Sequence, residues 1–191
     1  MNLKRSPLFL VAVLIAVLVP GAAVAGDQVP YKATLASTSF NIVFPGLVDT
    51  GRCAALPTAG LPPSTGWGLI TITAVGNSTL MGLVVDVQSH CTVLPLDPNA
   101  PPPPVGAVVP AVLGQTVITG ANGDSIFGTY QATLTVTEAG AVINGHLTTF
   151  DGTGRFTGAK GEGTAFGVQS QAGAVLTLTG TMSSVGSLRK H

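Results

Sequence analysis

The residues best suited to chemistry lie around one histidine. His90 and Cys91 are adjacent, and Asp86 lies four residues upstream of His90. Residues four apart in a β-strand share a face, so Asp86 and His90 are expected on the same side. A metal site would need a third ligand at defined spacing, and the candidate for it, His146, is far along the chain. We therefore predict no metal site.

Cys91 has a second interpretation, as the nucleophile of a Cys–His pair. The chain contains two cysteines, Cys53 and Cys91. In an exported protein an even number of cysteines favours a disulfide, and a bonded sulfur cannot act as a thiolate nucleophile. We predict a Cys53–Cys91 disulfide, with two buried thiols or a reactive thiol as the alternatives.

Two further features suggest active sites but lack the partners that such sites need. Residues 47–51 contain the Asp-Thr-Gly sequence of aspartic proteases, but those enzymes use two carboxylates that share a proton. The chain has one copy, which predicts a turn. Arg155 is a candidate anchor for an acidic ligand, although an exposed ion pair with Asp151 or Glu162 is the prediction. The sequence identifies no catalytic residue and leaves the ligand-binding residues unknown.

Residues 150–167 have the glycine-rich composition of a phosphate-binding loop. Lys160 is followed by Gly161, where a P-loop has Ser or Thr, and the glycine spacing does not fit a dinucleotide fingerprint. We therefore predict no nucleotide and no other cofactor. Arg155 and Phe156 are predicted to begin a strand. The glycines are predicted to form turns and bends, at Gly152, Gly154, Gly158 and Gly161.

The elements that must position these residues are strands. Three segments alternate apolar residues with threonine, at residues 67–76, 129–137 and 174–182. Threonine is β-branched yet polar, which suits the outer face of a strand. Turn sequences separate the runs, at residues 76–77, 121–124, 138–140 and 170–173. The pattern predicts an all-β antiparallel meander that closes into a barrel of roughly eight strands, with a β-sandwich as the alternative.

Residues 95–114 interrupt the strand pattern with seven prolines. Proline cannot donate a hydrogen bond to a sheet and is excluded from central strands. We predict an exposed loop, with polyproline II conformation at residues 101–104. The loop is interpreted as a tolerated insertion, with a flap over the barrel mouth or a partner-binding segment as alternatives.

Residues 1–25 have the order of a secretory signal peptide: Lys4 and Arg5, an uncharged apolar run at 8–19, and Ala-Val-Ala at 23–25. The run is shorter than the roughly 20 residues that span a bilayer, and an uncleaved N-terminal anchor is the alternative. We predict a secreted or periplasmic protein with residues 26–191 as a single β-barrel domain, free of the membrane after cleavage.

Charge excludes one class of partner. Removal of Lys4 and Arg5 leaves six Lys and Arg against eight Asp and Glu, a net charge of −2. The Lys and Arg residues form no cluster dense enough to neutralise a phosphate backbone, so we predict no nucleic-acid binding. Oligomeric state is not predicted.

The glycine-rich stretch also carries a family resemblance. Residues 151–161 are similar to the G-G-T-G-x-F-x-x-A-x-G signature of the dirigent and allene oxide cyclase-like barrels. Arg155, Phe156, Ala159 and Gly161 fall at matching positions, whereas Asp151 replaces the usual first glycine. Residues 114–130 also resemble an A-A-N-G-D segment of bacterial secreted proteins with a similar signature. The resemblance covers residues 114–167, under half of the predicted mature chain.

The resemblance implies an eight-stranded antiparallel barrel with an apolar central cavity. Plant members guide radical coupling or cyclise an oxylipin. Their acidic and aromatic cavity residues have no counterparts that align with this chain, so no catalytic residue is carried over.

The sequence predicts a secreted β-barrel that binds a small apolar ligand, because it brings no set of titratable residues together. The first alternative is a dirigent-like or cyclase-like barrel that shapes a reactive intermediate. Two or more acids or tyrosines facing the cavity would favour it. The second alternative is an envelope interaction or structural module that uses the proline-rich loop.

Overall fold

A computed structural model describes residues 28–46 and 50–183 of the protein. The predicted signal peptide and Asp49 of the Asp-Thr-Gly sequence lie outside the described residues. The strands are β1 (Gln28–Val43), β2 (Thr65–Ser78), β3 (Gly82–Pro95), β4 (Val108–Gly120), β5 (Ser125–Thr137), β6 (Gly140–Gly152), β7 (Gly161–Ser170) and β8 (Gly173–Ser183). Two short 3-10 helices, Gly51–Ala55 and Gly154–Phe156, complete the described elements.

The eight strands form a closed antiparallel barrel in which each strand pairs with its neighbours in sequence. Closure comes from β1 and β8, which pair from Gln28 with Ser183 to Ala36 with Val175. The prediction of an all-β antiparallel meander closing into a barrel is confirmed, and the sandwich alternative is wrong. Closure gives each strand a paired neighbour on both sides, which matters for a chain in which 8% of residues are charged.

Strand alternation sorts the side chains, and bulges change which of them face inward. Ile70 and Ile72 of β2 line the barrel interior, as the alternation with threonine predicts. In β1 the register with β2 shifts between Ser37 and Ser39. A bulge of this kind reverses the alternation, so that Phe40 lines the same interior as Leu35, five residues earlier.

Most predicted turns are confirmed. Turns occupy residues 121–123, 138–139 and 171–172. The first hairpin is different, because its turn lies at residues 79–81 and not at 76–77. Gly76 belongs to β2 instead, and a Cβ there would overlap the carbonyl oxygen of Thr34 on β1. Glycine is required at this position by the close approach of two strands.

The proline-rich segment is shorter than predicted. Pro95 ends β3 and β4 begins at Val108, so the connection is residues 96–107 and not 95–114. Pro110 lies within β4, where the prediction excluded it. The β3–β4 register ends at the pair Thr92 and Ala111, so the missing N–H of Pro110 is not needed on that side.

The glycine-rich segment bends the chain, but its local structure differs from the prediction. Arg155 and Phe156 form a 3-10 helix instead of beginning a strand, and β7 starts at Gly161. Arg155 pairs with Asp124, at 3.2 Å from Nε to the carboxylate, and not with Asp151 or Glu162. Asp151 instead accepts hydrogen bonds from two backbone N–H groups.

The remaining glycines of this motif lie at the end of β6 and in the connection between β6 and β7. Gly152 ends β6, and Gly158 lies in the connection to β7 with a φ of 73°. Gly154 has a φ of 57°, and a Cβ there would overlap the carboxylate of Asp124. Both the left-handed backbone and the neighbouring acid therefore require glycine at position 154.

Candidate functional site inside the barrel

A cavity of about 120 Å³ occupies the interior of the barrel. Its lining is mostly aliphatic, with the rings of Phe40, His90 and Tyr130 and a few further polar side chains. The apolar lining comes from every strand except β3, which contributes Gln88 and His90: Leu35, Phe40, Ile42, Ile70, Ile72, Ala74, Ala111, Ala132, Leu134, Ile143, Leu147, Ala165, Ala174, Leu176 and Leu178. A concave apolar site with a few polar groups is the usual form of a small-molecule site.

The two ends of the barrel differ in how deeply their apolar side chains are buried. At the end of the barrel that carries the turns 79–81 and 121–123, large side chains fill the interior, with Met81, Phe156 and Met182 all at least 94% buried. We call this the closed end. At the opposite end Phe40 and Ile42 line the cavity yet are 37% and 45% exposed. We call this the open end.

Small inward-facing residues create the space. On β7, Ala165 lines the cavity, and the flanking inward positions on the same strand face are Gly163 and Gly167. Gly145 of β6 pairs with Ala132 and with Ala165. Because three adjacent strands contribute side chains no larger than a methyl group at this level, the opposite wall does not reach across to fill the barrel.

A row of polar side chains on β3 faces the same interior. Asp86, Gln88 and His90 alternate along the strand, which confirms that Asp86 and His90 share a face. Asp86 is fully buried, and one of its carboxylate oxygens accepts a hydrogen bond of 2.5 Å from the Thr116 hydroxyl. The other accepts a hydrogen bond from the Gln88 amide. Burial raises the pKa of Asp86 to about 6, and these two hydrogen bonds oppose the rise.

His90 forms a pair with Tyr130 of β5. The His90 Nδ1 and the Tyr130 hydroxyl oxygen are 2.7 Å apart, and the two rings meet edge to face. Burial lowers the pKa of His90 to about 4, with a smaller contribution from the charge of Arg52. Burial also raises the pKa of Tyr130. At neutral pH the pair is therefore uncharged.

The wall behind this pair is fixed from outside the barrel. Arg52 donates hydrogen bonds to the Ser89 carbonyl at 2.8 Å and to the Leu113 carbonyl at 3.1 Å. Both acceptors lie at register shifts, of β3 against β4 and of β4 against β5. Leu113 has a φ of 51°, an uncommon conformation for a residue other than glycine. Arg52 thus braces the two irregular strand segments that present His90 and face Tyr130.

The disulfide holds Arg52 in place. Cys53 and Cys91 are bonded, with an S–S distance of 2.05 Å, and both are fully buried. The predicted disulfide is confirmed, and Cys91 is therefore not the nucleophile of a Cys–His pair. Because Cys53 is the neighbour of Arg52, the bond ties the first 3-10 helix to the outer wall of β3.

His146 is not brought to His90. It lies on the outer face of the barrel, exposed, beside an open groove of about 580 Å³ that also includes Arg52 and Gln131. Among residues 28–46 and 50–183, no three His, Cys, Asp or Glu side chains lie close enough to bind a metal ion. Thr50 and Gly51 of the Asp-Thr-Gly sequence lead into the first 3-10 helix.

Tyr31 is a buried tyrosine of the closed end. Tyr31 is 4% exposed, and the polar side chain that its hydroxyl approaches is that of Ser78. Burial raises the pKa of Tyr31 to about 12. Tyr31 does not line the cavity, so the phenol that reaches the cavity is that of Tyr130.

Sequence reasoning missed Tyr130 and Thr116, although the signal was present. Tyr130 is two residues before Ala132, on the face that alternation assigns to the interior. Thr116 is likewise two residues before the buried Ile118. Extending each alternating run by one step would have placed both inside. Arg52 could not have been found this way, because its contacts depend on the disulfide.

Within the described residues, no helix is long and apolar enough to cross a lipid bilayer. Comparisons of the chain with protein-family models, with curated proteins and with solved structures find no significant match.

Proposed function

We propose that this protein is exported and binds a small, predominantly apolar molecule inside its barrel, entering from the open end. The observation that carries the proposal is the apolar cavity of about 120 Å³, bordered by partly exposed Phe40 and Ile42. Exposed apolar side chains beside a concave apolar surface are typical of a ligand entrance. The signal-peptide pattern of residues 1–25 and the disulfide support export.

The cavity limits the size of the ligand. Drug-sized pockets are larger, about 300–1,000 Å³, whereas an apolar cavity of about 150 Å³ is known to bind benzene. A single six-membered ring, or one end of a longer molecule, is therefore the size that the interior accepts. The rest of a longer ligand would emerge between Phe40 and Ile42.

Calorimetric titration with methylcyclohexane tests the proposal on protein lacking residues 1–25. We expect saturable binding to one site. Ala165→Leu adds three carbons to a cavity-lining side chain and is expected to weaken binding at least tenfold. Phe166→Leu is the matched control, because Phe166 is the next residue on β7 and faces outward with 57% of its surface exposed. Unchanged affinity in Ala165→Leu, or no binding to the wild-type protein, would refute the proposal.

A second candidate is a barrel that guides a reactive intermediate, as the family resemblance implies. The Tyr130–His90 pair and the buried Asp86 favour it, because clusters of perturbed titratable groups occur at catalytic sites. Among the described acids and tyrosines, however, Tyr130 alone lines the cavity, and Asp86 does not line it. Native mass spectrometry of protein purified from its own host separates the two. If the retained molecule is identical to one that occurs free in the extract, the result supports binding. If it is a chemically altered form of such a molecule, the result supports catalysis.

A further inference from the structure

The inner polar groups of the cavity restrict the chemistry of its ligand, and the inference drawn from them rests on the proposed function. Gln88, His90, Thr116 and Tyr130 line the cavity on β3, β4 and β5. None of the described residues that line it is Lys, Arg, Asp or Glu. The polar part of the described lining therefore consists of uncharged hydrogen-bonding groups.

Asp86 determines which hydrogen-bonding groups Thr116 and Gln88 present to the cavity. The Thr116 hydroxyl and the Gln88 amide N–H both donate to the Asp86 carboxylate. Their donor capacity is partly used in that way, while the Thr116 oxygen and the Gln88 carbonyl keep free lone pairs. This side of the cavity is therefore richer in acceptors than in donors.

The His90–Tyr130 pair supplies a donor in either of its two arrangements. If the Tyr130 hydroxyl donates to His90 Nδ1, the proton of the neutral ring is on Nε2, which becomes a donor. If Nδ1 donates to the Tyr130 oxygen, the Tyr130 hydroxyl proton remains available instead. The pair therefore always retains one N–H or O–H for a further acceptor. A group that both donates and accepts, such as a hydroxyl, matches this set.

An anionic group has no comparable partner. A carboxylate in the cavity would leave water without meeting a cation, and it would lie near the carboxylate of Asp86. It would therefore lose its hydration without replacement. An ammonium group differs, because the free acceptors of this wall and the nearby Asp86 carboxylate both favour it.

We propose that the cavity selects an amphiphile without an acidic group, with one hydroxyl group at the inner end against the His90–Tyr130 pair and an apolar body toward the open end. Selection against acids follows from the same residues. Tyr130 is the specificity-determining residue for the hydroxyl, and Ala165 governs space for the apolar body.

Four probes with one ring test this selectivity on the wild-type protein at pH 7.5 by calorimetric titration. They are methylcyclohexane, cyclohexylmethanol, cyclohexanecarboxylate and cyclohexylmethylamine. We expect the carboxylate to bind at least tenfold more weakly than the alcohol, and more weakly than the amine. Equal binding of the carboxylate and the alcohol would overturn the inference while leaving the proposed function intact. Failure of all four, methylcyclohexane included, would instead refute the proposed function.

A variant pair locates the hydroxyl contact. Tyr130→Phe removes the hydroxyl and keeps the ring that packs on Gly114. We expect it to weaken cyclohexylmethanol binding about threefold to tenfold, the range for one lost hydrogen bond, and to leave methylcyclohexane binding within twofold. Tyr31→Phe is the control, because it removes a phenol from the same barrel outside the cavity, and both affinities should be unchanged.

The variant experiment has its own contradicting result. If Tyr130→Phe weakens the alcohol and the hydrocarbon by the same factor, the hydroxyl makes no specific contact and the assignment of Tyr130 is wrong. Should the substitution disturb the fold, Thr116→Val reports on the neighbouring polar group, and the wild-type probe series decides the charge selectivity without any variant.

Discussion

The two ends of the barrel are built from the same eight strands, yet one is filled and the other is hollow. At the closed end Phe156 and Met182 are 2% exposed and Met81 is 6% exposed. At the open end Phe40 and Ile42 keep more than a third of their surface exposed. The closed end therefore contributes most to stability, since apolar burial is the main stabilising term. The open end gives up that burial and leaves apolar surface for a ligand.

Substitution of one phenylalanine at each end should produce the largest contrast. Phe156→Ala is expected to lower the free energy of unfolding by about 3–5 kcal/mol, because it leaves a cavity among buried side chains. Phe40→Ala should cost about 1 kcal/mol, because the ring is 37% exposed. Urea unfolding monitored by circular dichroism measures both. Equal losses would show that the two ends are packed alike.

Removal of the disulfide should lower the free energy of unfolding by about as much as Phe156→Ala does, because the bond supports the wall of the open half. The bonded cysteines are 38 residues apart. Chain entropy then gives a loss of about 4 kcal/mol in the Cys53→Ser/Cys91→Ser variant. Because Arg52 depends on this bond for its position, we also expect weaker methylcyclohexane binding. A variant with wild-type stability and binding would contradict the bracing of the site from outside.

The pH dependence of stability should reflect the titration of two groups inside the barrel, Asp86 and His90, whose contributions change in opposite directions. The pKa of Asp86 is raised from 3.8 to about 6, so its stabilising contribution is complete below pH 3.8 and is lost as pH rises through about 6. The pKa of His90 is lowered from 6.5 to about 4, so its contribution is complete above pH 6.5 and is lost as pH falls through about 4. Each contribution is about 3 kcal/mol.

In the wild-type protein these two contributions offset each other, so stability should change little between about pH 4 and 6.5. Asp86→Asn should lose stability as pH falls across this window, because His90 remains. His90→Gln should gain stability over the same change, because Asp86 remains. Urea unfolding at several pH values measures the slopes. Two variants with slopes of the same sign would contradict the assignment.

The smallest effect is expected from the ion pair at the closed end. Arg155 and Asp124 lie 3.2 Å apart, but the Arg155 side chain is 47% exposed. Water and salt screen such a pair, so Arg155→Gln should cost about 0–1 kcal/mol. A loss as large as that of Phe156→Ala would mean that charge and not packing holds the closed end together. Thermal unfolding at low and high salt separates the two contributions.

The fold could be predicted because its signals are local. Alternation of aliphatic residues with threonine marked β2, β5 and β8, and the turn residues between later strands fixed the meander. The pairing of β1 with β8 joins residues far apart in the chain, and no local pattern encodes it. Phe40 faces inward only because of the bulge near Ser39, so strict alternation from Leu35 would have put it outside.

The candidate site was predicted only in part. Alternation placed Asp86 and His90 on one face, but their partners Thr116 and Tyr130 lie on other strands and depend on the register between strands. Arg155 was assigned to nearby acids in sequence, whereas its partner Asp124 comes from the connection between β4 and β5. Contacts across the barrel are set by closure, which sequence spacing does not measure.

Location of a bound probe tests the central claim most directly. We would label the methyl groups of the protein with ¹³C and record intermolecular nuclear Overhauser effects with methylcyclohexane. Contacts to the inward-facing Ile72, Leu134 and Leu176 are the predicted result. Contacts only to outward-facing, exposed Val85 and Val87, or none at saturating probe, would contradict a ligand site inside the barrel.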